Sequence, residues 1–284
     1  MSEFQPLDSL RVDFAQACQV VHLLCEGMGV RAVSRFTSLH RDTVLSILES
    51  AGEKCAEFLD VKIHDVKAEN VQVDEIHTFV GCKAKQTTRD DMERGDFFTF
   101  LSVDRASKLI INWHTSKRDK ENTLVFMKDL ERRMQGRFQL TTDEYWGYWR
   151  GNGAVVSVFG AGINYATEKK IFGLKFPNDI SRWKNPMIVT AIKRQCRIGT
   201  PDMAMATTCH AERTNLSVRT FTRRFTRATL GFSKKLENLR HAVALFVCHF
   251  NFVRKHGAHG QTPGQAAGLT DKAWSIDEIL TATI

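Results

Sequence analysis

The sequence predicts an α/β protein in which a small all-α N-terminal domain precedes a mixed sheet-and-helix core. Three observations carry this. Apolar residues recur at helical spacing over 12–59. The pattern then changes to short runs of β-branched and aromatic residues over 71–142, and two basic amphipathic segments follow near the end. With 284 residues, 43% of them hydrophobic and 25% charged, the chain is long enough for one large domain or two modest ones with a buried core.

In the N-terminal part, Val12 to Glu26 has helical periodicity, and Gly27 and Gly29 punctuate its end. The segment GVRAVSRFTSLHRDTVLSILES then reads as a short helix, a turn through Thr37 to Leu39, and a longer helix with Val44, Ile47 and Leu48 inward. Two helices joined by a short turn fit either a helical hairpin in a core or a helix-turn-helix, whose second helix offers its first residues to the DNA major groove. Here those residues are His40, Arg41, Asp42 and Thr43.

After a polar connector the strand candidates are 71–81, 97–103 and 109–114, the last two joined by the turn DRASK. A helix over about 120–134 and a short strand, FQLTT at 138–142, come next. Three strands, a helix and a further strand suit an α/β sheet with an antiparallel start, the order of an RNase H-like core. Residues 171–209, with Pro177, Pro186 and Pro201, read as an irregular insertion with a short strand near Met187–Ile192. Helices are expected over about 211–229 and 236–254. The domain reading is therefore 1–64 helical, 65–256 the α/β core with its insertion, and 257–284 a tail.

Charge narrows the function. The net charge is +8 and the pI near 9.2. Between Ala211 and Gly260 ten Lys/Arg face only two acids, Glu212 and Glu237, an excess equal to that of the whole chain. Such a concentration suits a surface that follows a phosphate backbone. No stretch approaches the roughly 20 apolar residues of a membrane helix. The start MSEFQPLDSLRVDF lacks the apolar run of a signal peptide, so the chain reads as cytoplasmic. Seven scattered cysteines without a Cys-x-x-Cys pair argue against a zinc ribbon or a disulfide framework.

Three carboxylates stand out. Asp74 sits mid-strand among Val, Ile and Phe, where a charge is costly unless it is paired or binds metal. Side chains alternate along a strand, so Glu75 is expected on the other face, and Asp74 is the one assigned to a site. Asp143 follows the strand FQLTT, at the sheet end where α/β proteins hold ligands. Glu212 opens a basic helix on which, at about 100° per residue, Glu212, Asn215, Arg219 and Arg223 share one stripe. Val218, Phe221 and Phe225 share another. Acids converging from two strands and a helix suit two Mg²⁺ or Mn²⁺ ions about 3.5–4 Å apart, an arrangement that serves in-line phosphoryl transfer.

With these residues in view, the chain resembles bacterial insertion-sequence transposases of the DDE type, most closely the insertion-sequence-one family in its longer, helix-turn-helix form. The resemblance spans about residues 8 to 280. It rests on VDEIHTFVG at 73–81, QLTTDEYWGY at 139–148, HAERTNLSVRTFTRRFTR at 210–227, GFSKKLENLRHAVALFVCHFNFVRKH at 231–256 and TPGQAAGLTDKAWSIDEI at 262–279. It implies an RNase H-like catalytic domain with Asp74, Asp143 and Glu212 as catalytic and metal-binding residues, Mg²⁺ as cofactor, and double-stranded DNA, both element ends and target, as partner. It further implies a homo-oligomer on DNA in a bacterial, nucleoid-associated setting. Arg41, Asp42, Thr43, Asn215, Arg219, Arg223, Arg227, Lys234 and Lys235 are the expected DNA-binding residues. Two positions depart from the family pattern: Glu144 stands where Gly commonly follows the second aspartate, and His77 where Trp is common. Two other functions remain open, a DNA-binding regulator with an inactive core and a metal-dependent nuclease that cuts without joining. No Gly-x-Ser-x-Gly or Gly-x-x-x-x-Gly-Lys motif points to other chemistry.

Overall fold

A computed structural model describes residues 12–88, 91–176 and 185–283. Residues 1–11, which bear most of the signal-peptide reading, and Pro177 lie outside them. Helix α1 (Phe14–Cys25) begins where Asp13 accepts the Gln16 N–H. Helix α2 (Val30–Thr37) ends at Ser38, whose φ of 60° turns the chain, and Ser34 Oγ closes that turn by donating to Leu39 C=O at 2.7 Å. Helix α3 (Arg41–Lys62) starts behind His40, whose ring accepts the Asp42 N–H. Its Val44, Ile47, Leu48, Ala51, Cys55, Phe58 and Leu59 form one buried stripe at helical spacing.

The sheet follows. Strand β1 (Asn70–Val80), β2 (Gly95–Asp104) and β3 (Ile110–Ser116) form an antiparallel meander. The turn between β2 and β3 is held by Asp104, which accepts the N–H groups of Ala106 and Ser107. After α4 (Lys120–Arg133), β4 (Gln139–Thr142) lies parallel to β1. Two short helices, α5 (Trp146–Trp149) and α6 (Ala154–Phe159), lead to β5 (Asn164–Leu174), parallel to β4, and β6 (Met187–Ile198), antiparallel to β5. The order across the sheet is β3-β2-β1-β4-β5-β6.

Chain direction then shifts to helices: α7 (Cys209–Phe221), α8 (Leu236–Cys248) running into a π-helical turn His249–Val253, α9 (Pro263–Ala266) and α10 (Ile276–Thr281). Helix α7 lies on the face of β1 that carries Gln72, Asp74 and Thr78; α5 lies on the other, toward Glu75. The three N-terminal helices share one continuous hydrophobic core with α8 and the sheet. Phe58 marks the junction, with the rings of Phe252 and Trp274 at 5.2 and 5.1 Å. Among the described residues no helix is long and apolar enough to cross a membrane.

Four expectations change. The insertion is not irregular: β5 and β6 form a long hairpin whose outer part leaves the sheet, because β4 pairs only with Asn164–Thr167 of β5. Both faces of that ribbon meet solvent, so no in–out alternation announced it. The helix expected to reach residue 229 stops at Phe221. Thr222 is extended, Thr226 Oγ1 takes the Arg219 carbonyl, and a 3-10 turn holds Arg223–Phe225. The threonine-rich stretch is a weak helix former. The last long helix becomes π-helical after Cys248, where Asn251 is fully buried. Its side chain exchanges hydrogen bonds with the backbone of Ile110, at 3.0 and 2.8 Å, and so satisfies the edge of β3. The expected tail instead forms α9 and α10, which bury Ile276, Ile279 and Leu280.

Helices α3 and α8 approach closely at Gly52, where an added Cβ would stand 2.5 Å from His241 Cβ and 2.9 Å from its carbonyl oxygen. Gly52→Ala is expected to lower stability by about 1–3 kcal/mol, read as a lower urea midpoint, because backbone must move to admit the methyl group. An unchanged midpoint would mean that the two helices do not meet there.

Candidate functional site

Strand β1 pairs with β4 only from Asn70 to Gln72. Beyond Gln72 the two strands part, and the edge of β1 borders a notch that Asp143, directly after β4, enters from the other side. The alternation of Asp74 and Glu75 still holds at the backbone. At an open edge, however, carboxyl groups from both faces reach the same notch. Oxygen atoms of Asp74, Glu75 and Asp143 lie within 4.8 Å of one another, making an acidic group able to hold a metal ion. The expectation that Glu75 leaves the site is therefore corrected.

The surroundings are specific. Asn215 Nδ2 on α7 donates to Asp74 Oδ2 at 2.8 Å. Tyr148, fully buried on α5, donates its hydroxyl to Glu75 Oε1. The Glu75 side chain is only 4% exposed, against 38% for Asp143. Arg118, just before α4, bridges Glu75 at 3.0 Å and Asp143 at 3.4 Å, with its guanidinium 4.0 Å from the Tyr145 ring centre. Neither Arg118 nor Tyr148 had a sequence signal tying it to the site. Arg118 lies next to the α4 N-cap Asp119 with no motif of its own, and Tyr148 belongs to an aromatic run, 145–149, that reads first as core.

Burial and like charge act together here. Desolvation, then the nearby carboxylates of Asp143 and Glu212, push Asp74 up to about 7. Desolvation and Asp143 push Glu75 up to about 8, although Arg118 and Tyr148 oppose this. Asp143 is raised too, chiefly by desolvation.

Glu212 arrives by a separate route. Gln72, one pleat before Asp74, accepts the N–H groups of His210 and Ala211 at 2.8 and 3.3 Å and so caps the start of α7. This sets Glu212 near enough for its charge to raise both aspartates. Its carboxylate nevertheless stands outside the 4.8 Å group, turned toward Lys170 of β5 and Thr208 Oγ1, the latter at 3.0 Å.

The other expected site residues are dispersed. Arg219, half-buried on α7, is pushed below the usual guanidinium range by desolvation and by Arg227, with Asp74 acting in the opposite direction. Arg223 and Arg227 lie beyond the helix, so the single four-residue stripe is corrected to Glu212, Asn215 and Arg219. Arg41 and Asp42 are exposed at the start of α3 and pair at 3.6 Å, and Thr43 is half-buried. Lys234 and Lys235 are exposed before α8, with the Lys234 ammonium 3.2 Å from the Phe232 ring centre. His77 pairs with Asp96 at 3.3 Å, and Glu144 pairs with Lys169 at 3.0 Å, away from the notch.

Carboxylate oxygens alone make a donor set suited to a hard divalent cation. Asp74 and Glu75 hold their protons more tightly in the folded chain than in the unfolded one, where carboxyl groups titrate near about 4. Without a cation, the stability this supplies is complete below that value and is lost as the pH rises through about 7 to 8. Thermal melts of the cation-free chain should therefore fall from pH 5 to 8 more steeply than those of Glu75→Gln. Mg²⁺ or Mn²⁺ should raise the melting temperature more at pH 8 than at pH 6, with protons released on binding. A cation effect independent of pH would contradict the coupling.

No protein-family model matches the chain, and no curated protein does. Among solved structures, one similar to this chain is the piggyBac transposase in a synaptic complex with hairpin DNA, determined by cryo-EM. It is 10% identical, with a TM-score of 0.36, over 93% of this chain and 71% of that one.

Proposed function

We propose that the chain is a metal-dependent DNA transposase of the DDE type, with Asp74, Asp143 and Glu212 as the acids of an RNase H-like core. The observation that carries the reading is the meeting of Asp74 and Asp143 in the notch between β1 and β4, with α7 bringing Glu212 close enough to act on both. The strand order β3-β2-β1-β4-β5, antiparallel in its first three strands, is the order expected of such a core.

Two Mg²⁺ or Mn²⁺ ions bound there supply stabilisation of the attacking and leaving oxygens of an in-line phosphoryl transfer. The chain's own groups prepare for this. Asn215 orients Asp74; Tyr148 and Arg118 hold Glu75; Arg118 also steadies Asp143. Glu212 joins the other two acids when its carboxylate leaves Lys170, and Lys170 is then freed to meet a phosphate. Arg219, Arg223, Arg227, Lys234 and Lys235, with Arg41 and Thr43 of the helix-turn-helix, follow the backbone of double-stranded DNA, while the Arg224 guanidinium is buried away from it. The reaction cuts element ends by hydrolysis and joins their 3′-hydroxyl groups to target DNA, and a homo-oligomer brings two ends together.

The test is a strand-transfer assay with pre-cut element ends, a target duplex and Mg²⁺. Joined product is expected from the wild-type chain. Asp74→Asn, Asp143→Asn and Glu212→Gln should each reduce it to background while duplex affinity stays within about threefold, since single surface or site changes away from phosphate contacts alter binding little. Cleavage without joining would instead support a nuclease, and binding without either would support a regulator. Full activity in any one variant removes that residue from the site.

A further inference from the structure

Arg224 lies in the 3-10 turn after α7, beneath the N-terminal helices. Its Nη1 donates to Ser233 Oγ at 2.8 Å, while Nη2 is sealed from solvent and has no hydrogen-bond partner. Its own carbonyl is fixed by Thr78 of β1, so the turn cannot swing outward freely. Burial pushes the guanidinium down to about 10, with no carboxylate acting in the opposite direction. An arginine left this way lacks its natural counter-charge.

It lines a cavity of about 890 Å³ between the α1–α2 loop, the start of α3 and the 221–234 segment. Arg31, Arg35, Arg41, Arg223 and Lys234 line it as well. The single acid among the lining residues, Asp42, already pairs with Arg41. The remaining wall is apolar, built from Met28, Leu45, Phe232 and their neighbours. A lone inorganic anion would leave most of that volume and all of the apolar wall without a partner. The cavity is of ligand-pocket size, and its combination of guanidinium groups with an apolar wall matches a phosphate joined to a flat ring.

Location selects the source of that ligand. Arg41 and Asp42, which border the cavity, are the first residues of α3, the helix that a helix-turn-helix presents to DNA. We propose that this cavity receives one unstacked nucleotide of a DNA strand, whose phosphate draws the Arg224 guanidinium, sealed in this structure, round into the cavity and whose base lies against the apolar wall. The proposal rests on the DNA-binding reading above and assigns that reading a preference for ends or distorted steps, where a base leaves the stack at lowest cost.

The test uses the full chain and fluorescence anisotropy with a blunt duplex, the same duplex with a short thymidine overhang, and that overhang made abasic. The thymidine overhang is expected to bind about tenfold more tightly than the blunt end. Arg224→Met, and Met28→Trp, which fills the cavity from the opposite wall, should each abolish that gain and leave blunt-duplex affinity unchanged. Arg224→Met should melt at or above the wild-type temperature, because it removes an unpaired buried charge. Equal affinity for all three duplexes, or a gain that survives both substitutions, overturns the proposal. An abasic overhang as good as thymidine overturns the base pocket. If no duplex binds at all, it is the DNA-binding reading that fails. Deoxythymidine monophosphate then replaces the strand as ligand if it raises the melting temperature of the wild type but not of Arg224→Met, an outcome that overturns the strand assignment.

Discussion

The arrangement depends on like charges gathered where two parallel strands part. Asp74, Glu75 and Asp143 present oxygens within 4.8 Å of one another, and the protein supplies them with one guanidinium, Arg118, shared between two of the three. Carboxylates so placed cannot all ionise at neutral pH without a further cation. The notch therefore carries repulsion that a divalent ion would offset, and hydrogen bonds from the surrounding fold hold the acids in place.

Several features serve that end. Gln72 fastens the start of α7 to β1, and Asn215, a little over one turn further along, fastens the same helix to Asp74. Acid and helix are thus in register through two hydrogen-bonded contacts one pleat apart on the strand. Glu212 pairs with Lys170 on the β5–β6 ribbon. The ribbon is anchored at its base, where buried Glu168 receives Arg194 at 3.1 Å and the Thr208 N–H at 3.2 Å. Movement of this arm would consequently reach the third acid directly.

Much of the core was legible in the sequence because its strands follow simple rules. The segments forming β1 to β4 have apolar runs bounded by polar turns, and α4 has clear periodicity. Asp74 and Asp143 were legible because each is an acid in a place that the fold alone does not favour. Glu75 was not, since alternation fixes only the face from which a side chain leaves the strand, and at an open edge carboxyl groups from both faces reach one notch. Arg118 was not, because its role comes from meeting two distant acids across the sheet. The outer part of the β5–β6 ribbon lacks a buried face and so lacks a pattern. Asn251 completes the hydrogen bonding of a strand far away in sequence, a role that only tertiary packing reveals.

The most direct measurement is anomalous diffraction from crystals of the chain soaked in Mn²⁺ at pH 8. The account predicts manganese density within coordination distance of both Asp74 and Asp143, with the Glu212 carboxylate turned from Lys170 toward the ion. Density confined to other surfaces, or an undisturbed acidic notch at saturating Mn²⁺, would contradict it.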